Sequence, residues 1–329
     1  MSSLKTAVAC VAVTAVVTAA YSQSCIKAGP ANLATLSTRA EAGDPYAACA
    51  LANAYASGTS VVQNYTRAAE LFRLAANRGF PDAQFFLGHL YERGLGVPRD
   101  DVVALQFFKM AAEQGHPTAA NNVGAMYEAG RGTSKDMKEA VTWYRAAAER
   151  GDAEGQLNLG ALYFFGRGVA RDYTVARRWL HKSAEQGHTL AQIAMFDIYY
   201  LGKGVNRDVR TAIRWLREAG DQGNSHAQVG LSNAYYQGSG VPVDYHEAAV
   251  WARRAAEQRD HEGEAALASL YEQGKGVPLN YVEAYRLYKV SFKGGLKTSK
   301  TKMESLLRVM TPRQIAEADS SPSEPLVSP

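Results

Sequence analysis

The chain has 329 residues, a formal net charge of +4, 47% hydrophobic and 21% charged residues. So mild a charge, with no long Lys/Arg run and no zinc-finger or RNA-binding pattern, excludes a nucleic-acid binder held by electrostatics. The composition is otherwise that of an ordinary soluble globular protein.

Residues 1–24 differ in composition from the rest of the chain. Lys5 is their one charge, Thr6 to Ala20 is Ala/Val-rich, and Tyr21-Ser22-Gln23-Ser24 is polar. This is the pattern of a signal peptide, so export to the periplasm is expected, with no stable membrane span once it is removed. A membrane anchor is the alternative, but so short a run of small side chains spans the hydrocarbon core poorly. Cys10 lies inside this segment, which leaves Cys25 and Cys49. Lipidation of Cys25, a Cys25–Cys49 disulfide and two free thiols are all open. Gln23 sits where a lipidation signal wants a small residue. An oxidising compartment favours the bridge, which would add about 3 kcal/mol.

Residues 25–42 are expected to cap the N-terminus, with a lone helix from Ala31 to Ala42. From Gly43 the chain repeats every 36 residues without insertion, through residue 294. Tyr55, Tyr91, Tyr127, Tyr163, Tyr199, Tyr235 and Tyr271 are in step, as are the columns that begin at Gly58 and Ala68. In the second unit Ala83, Leu87, Leu90 and Tyr91 recur at i, i+4, i+7 and i+8, one face of a helix A. Gly94 ends it with a left-handed cap. Leu95-Gly96-Val97-Pro98-Arg99 forms the loop and Asp100 caps helix B, whose apolar stripe is Ala104, Phe107, Phe108 and Ala111. Asn64, Asp136, Asp172, Asp208, Asp244 and Asn280 share the Asp100 column, and each is a good N-cap, so the column reads as structure and not as catalysis. Trp143, Trp179, Trp215 and Trp251 fill the gap between hairpins. The fold class predicted is all-α, a right-handed α-solenoid of seven helix-hairpin units.

Residues 295–318 are expected to form two capping helices, Lys302 to Met310 and Thr311 to Ala318, the second opened by a Thr311/Gln314 capping box with Pro312 at the first helical position. Residues 319–329 are Ser/Pro-rich and expected to be disordered.

The pattern resembles the Sel1-like repeat family, relatives of tetratricopeptide repeats. The residues that carry it are Leu159-Gly160-Ala161-Leu162-Tyr163, Gly166-Arg167-Gly168-Val169, Asp172, Ala176, Trp179 and Ala184-Glu185-Gln186-Gly187. The first unit departs with Thr59-Ser60 in place of Gly-x-Gly, and the seventh with Arg259 in place of Gly. The resemblance implies a solenoid that binds proteins. Exported members include immunity proteins that neutralise type VI secretion phospholipase effectors, and envelope adaptors for signalling or assembly. The branch linked to β-lactams carries a cysteine pair in each repeat, which this chain lacks.

No nucleophile elbow, His-Glu-x-x-His pair or phosphate loop occurs, so a cell-wall hydrolase is the weaker rival, and no cofactor or metal is expected. Ser299 and Lys302 match Ser-x-x-Lys without its partner motifs. If fixed columns build the scaffold, departures from them mark the partner site. After the fixed Tyr the first column turns aromatic in units four to six and the second turns apolar in units four and five, which points to one patch of Phe164, Phe165, Tyr200, Leu201 and Tyr236 on a helix-A wall. Asn122, Asn158, Asp197 and Asn233 are expected to offer hydrogen bonds beside it. Arg99, Arg131, Lys135, Arg167, Arg171, Lys203 and Arg207 form a basic loop edge, read either as a steering surface for an acidic partner or as solvated loops.

Overall fold

The computed structural model describes residues 32–320. The expectations for the signal segment, for Cys25 and for residues 321–329 lie outside the described residues. Among those described there are seventeen helices and no strand. They are α1 (Leu33–Glu41), α2 (Pro45–Ser57), α3 (Tyr65–Asn77), α4 (Pro81–Arg93), α5 (Asp101–Glu113), α6 (Pro117–Ala129), α7 (Met137–Glu149), α8 (Ala153–Phe165) and α9 (Tyr173–Glu185). Then come α10 (Thr189–Leu201), α11 (Val209–Asp221), α12 (Ser225–Gln237), α13 (Tyr245–Glu257), α14 (His261–Gln273), α15 (Tyr281–Lys293), α16 (Thr298–Leu307) and α17 (Pro312–Ser320). Even-numbered helices from α2 to α14 are the helix A of a repeat, and the odd-numbered helix after each is its helix B. The chain is an all-α solenoid of helical hairpins, described as two units that part after Gln186.

The local chemistry of each hairpin is the same. All seven residues of the Asp100 column cap helix B, their side chains accepting backbone N–H bonds from the first turn. All seven glycines of the Gly58 column end helix A at φ between +63° and +74°. Asp172 Oδ1 accepts from Thr174 N at 2.9 Å and Val175 N at 3.0 Å. Asp172→Ala is therefore expected to cost about 1 kcal/mol, seen as a lower thermal midpoint by circular dichroism. An unchanged midpoint would deny the cap its role.

Close approach explains the loop glycines. A Cβ on Gly132 (φ +65°) would overlap the Asp101 carbonyl at the start of the preceding helix B. Where the pattern loses its glycine the backbone keeps the conformation, with Ser60 at φ 65° and Arg259 at φ 62°. Every alanine of the Ala68 column is fully buried at 0% exposure, so the hairpin seam has no room for a larger side chain.

In the first unit Phe72, Phe86, Leu87, Leu90, Phe108 and Met126 form the core, continued by Tyr144, Leu159, Leu162 and Trp179. In the second unit Leu216, Leu231, Trp251, Leu267 and Tyr288 form it, closed by Leu306 and Met310. Trp179, Trp215 and Trp251 are buried and Trp143 is half-buried.

The ends differ from the sequence reading in detail. Helix α16 begins at Thr298, four residues before Lys302, because Ser299 is buried and bonded to Ser291 Oγ at 2.9 Å. In α17 the capping box is present, Thr311 N donating to Gln314 Oε1 at 2.9 Å and Gln314 N to Thr311 Oγ1 at 3.3 Å. The helix runs on through Asp319 and Ser320, where a disordered tail was expected. An ion pair from Lys289 Nζ to Asp319 Oδ1 at 2.7 Å ties that end to α15. Cys49 is fully buried and disulfide-bonded; the expected pairing with Cys25 reaches outside the described residues.

Candidate protein-binding surface

The C-terminal end of each helix A is where the columns diverge. Glu92 and Glu128 occupy the first position after the fixed tyrosine, and each takes a loop arginine from the next repeat. Arg131 meets Glu92 Oε1 at 2.6 Å, and Arg167 meets Glu128 Oε1 at 2.7 Å. Tyr144 donates to Glu128 Oε2 at 2.8 Å, as Tyr288 does to Glu272 Oε2. Burial alone would raise the Glu92 carboxyl, but His89 Nδ1 at 3.2 Å and Arg131 outweigh it and hold the group at about 2.

These pairs correct the reading of a basic edge. Arg131 and Arg167 are bound to neighbouring repeats, so they are not free to steer a partner. Arg99 pairs with Asp101 at 3.0 Å, Arg171 lies over the Tyr173 ring at 5.5 Å, and Arg207 over Tyr200 at 5.3 Å. Lys135 is exposed and Lys203 half-buried.

At 164, 200 and 236 the same column is aromatic, so the acid that would grip a loop cation is gone. In the first unit Phe164 and Phe165 are half-buried and pack edge to face at 5.1 Å; Phe164 also meets Tyr173 of α9 at 5.1 Å. In the second unit Tyr200 and Leu201 are 37% and 43% exposed. Tyr200 stacks on Phe196 at 5.2 Å. Tyr236 is half-buried against Tyr245 at 5.4 Å. Lys275 Nζ lies 4.7 Å and 4.8 Å from those two rings and donates to the Tyr236 hydroxyl at 3.0 Å, which holds that hydroxyl below the usual tyrosine range. None of the five predicted residues is sealed in the core.

The polar set divides. Asn233 is exposed, and half-buried Asn122 lies 3.3 Å from His89 Nε2. Asn158 and Asp197 are buried at 8% exposure, and Asn158 donates to Asn121 Oδ1 at 2.9 Å. Their expected place on an open wall is therefore corrected: packing between repeats covers them.

Column reading missed three sets of residues. Phe196 replaces the small residue that Gly88, Gly124 and Gly160 supply elsewhere, and that break was its signal. A cation on helix B reaches the hydroxyl of the fixed tyrosine 18 residues on, as in Arg73–Tyr91 at 2.6 Å and Arg145–Tyr163 at 2.8 Å. Buried Gln84, Gln156, Gln192 and Gln228 each accept from a glutamine 30 residues later at 2.7–2.8 Å. The cation–tyrosine bonds join successive repeats, and the glutamine pairs tie helix A to the end of helix B within one repeat.

Ser299 is held by Ser291, and Lys302 lies 3.6 Å from Glu272, so the Ser-x-x-Lys match makes no dyad. His116 accepts from Ala119 N at 3.2 Å and stacks on Phe85. Among the described residues no group of three or more His, Cys, Asp or Glu could hold a metal, and no helix is long and apolar enough to cross a membrane.

The model of the Sel1 repeat family matches residues 45–80, 81–116, 117–152, 153–188, 189–224, 225–260 and 261–295. Among solved structures, a protective antigen present in uropathogenic Escherichia coli strains is 32% identical with a TM-score of 0.67; the match covers 88% of this chain and 70% of that one. A Sel1 repeat protein from Oxalobacter formigenes is also 32% identical, with a TM-score of 0.60 over 69% of this chain and 91% of that one. An immunity protein from Pseudomonas aeruginosa aligns at 18% identity and a TM-score of 0.42, over 73% and 87% of the two chains, a likeness that bears on neither function nor partner. No curated protein matches. The seven matched repeats and the hairpins they form place this chain in the Sel1 repeat family, as an α-solenoid of the protein-binding scaffold type.

Proposed function

We propose that the chain is an exported, periplasmic binding protein without catalytic activity, and that it takes its partner through helix-A ends, those of repeat four in the first unit and those of repeats five and six in the second. The observation that carries this is the exchange in one column. Glu92 and Glu128 hold a loop arginine by a salt bridge, whereas Phe164, Tyr200 and Tyr236 put aromatic rings in the same place; Tyr236 still holds loop Lys275 through its hydroxyl, and Tyr200 and Leu201 are open to solvent. Partly exposed aromatic side chains on a rigid frame are the usual anchors of an interface. Export rests on the lone Lys5 and the apolar run after it. The finer reading, an immunity protein that neutralises a secreted antibacterial phospholipase effector, rests on the family resemblance together with that segment.

Affinity capture with the tagged chain from a periplasmic extract tests both levels. A stoichiometric partner is expected, bound at least about tenfold more weakly by Tyr200→Ala or Phe164→Ala. Protection of cells that express a captured toxin supports immunity. An envelope protein as partner, with no protection, makes the chain an adaptor instead. Turnover of cell-wall material that survives both substitutions would overturn the binding reading.

A further inference from the structure

Repeat four holds an arginine where the other repeats bury an uncharged side chain. Ala69, Leu105, Val141, Ile213, Ala249 and Tyr285 share the column and are all buried, whereas repeat four has Arg177. Its Nε is shielded from solvent and, among the described residues, meets no hydrogen-bond partner. A guanidinium N–H so placed loses its hydration without a replacement, a cost the other repeats avoid.

Arg177 does not stand alone. With Arg178, His181 and Lys182 on the same helix, α9, it lines an open cleft of about 400 Å³. Glu185 is the one carboxylate in the lining, and it lies 3.2 Å from His181 Nδ1. Arg178 and Lys182 flank the Trp179 ring at 5.7 and 4.7 Å, which steadies both stems. The matching cleft over α13 measures about 250 Å³ and has Ala249 and Val250 in place of the two arginines.

We propose that the α9 cleft is a docking site for an acidic segment of a protein partner, with Arg177 taking one carboxylate. An unpaired Nε at Arg177, beside Arg178 and Lys182 and with one carboxylate in the lining, complements negative charge. The volume exceeds what one small inorganic anion fills. Arg177 and His181, and Arg178 and Lys182, are each four residues apart, so each pair shares a face with about 6 Å of rise between its members. Alternate side chains of an extended peptide are spaced by about 7 Å, so two carboxylates reach both members of such a pair. The site lies on a helix B and stands independently of the helix-A surface proposed above.

Fluorescence anisotropy with the full chain tests it. The probe is a labelled synthetic peptide of alternating Glu and Ser, compared with its Gln counterpart. The Glu peptide is expected to bind, more weakly as salt rises, and the Gln peptide is not. Arg177→Leu restores the residue type of Leu105, so the thermal midpoint should hold or rise while affinity falls at least about tenfold. Failure of the Glu peptide to bind, equal binding of the Gln peptide, or undiminished affinity in Arg177→Leu would each overturn the proposal. So would displacement by inorganic phosphate at the peptide's own concentration, which would mark a single-anion site.

Discussion

Phe108→Ala is expected to destabilise the first unit by about 3–5 kcal/mol, the loss of a large ring from a closed core. Phe108 is fully buried, and a Cβ on Gly88 would stand 2.8 Å from its ring. Phe85 and His89 pack on it at 5.9 and 5.1 Å between ring centres. The same glycine-against-bulk arrangement recurs as Gly124 with Tyr144 and Gly160 with Leu180. Where helix B has the small Ala252, helix A has Ser232 in place of glycine, a larger residue opposite a smaller one. Alanine at 108 opposite Gly88 has no such compensation, and two capped helices cannot close the void. Urea denaturation followed by circular dichroism reads the loss. A change below about 1 kcal/mol would mean the site collapses around the missing ring.

The second large effect is electrostatic. Arg131→Met leaves the Glu92 carboxylate 8% exposed with its closest partner removed, and is expected to cost about 3 kcal/mol or more. The same pair makes stability depend on pH. Glu92 has a folded value of about 2 against an ordinary 4.5. Because the folded value is depressed, its contribution is fully present above pH 4.5 and is lost as pH falls towards 2. A shift of that size corresponds to about 3 kcal/mol. Denaturation midpoints of the wild type should fall across that window. Those of Glu92→Gln, destabilised at neutral pH, should fall less. Parallel curves for the two proteins would remove Glu92 from the account.

The architecture was open to sequence reading because its causes are local. A cap needs Asp or Asn before the helix, a left-handed end needs glycine, and a close seam needs alanine. Each such demand repeats every 36 residues, so even single departures such as Ser60 and Arg259 could be placed. What stayed hidden runs between columns. Arg131 and Glu92 are 39 residues apart, and each reads alone as a surface charge; paired, they are scaffold. Asn158 and Asp197 read as polar wall positions, but their burial is set by neighbouring helices that no single column reports. Phe196 was passed over because its column is small elsewhere, yet it stacks under Tyr200 and enlarges the aromatic surface. The aromatic positions themselves were legible, since an exchange of glutamate for Phe or Tyr shows in the letters.

Photo-crosslinking in the cells that make the protein probes the partner surface without disturbing the core. Benzoylphenylalanine placed at Phe164 or at Tyr200 should yield a discrete adduct with one partner protein, while the same probe at exposed Met110, on a helix B, should yield none. Adducts from position 110 with none from 164 or 200 would contradict the account.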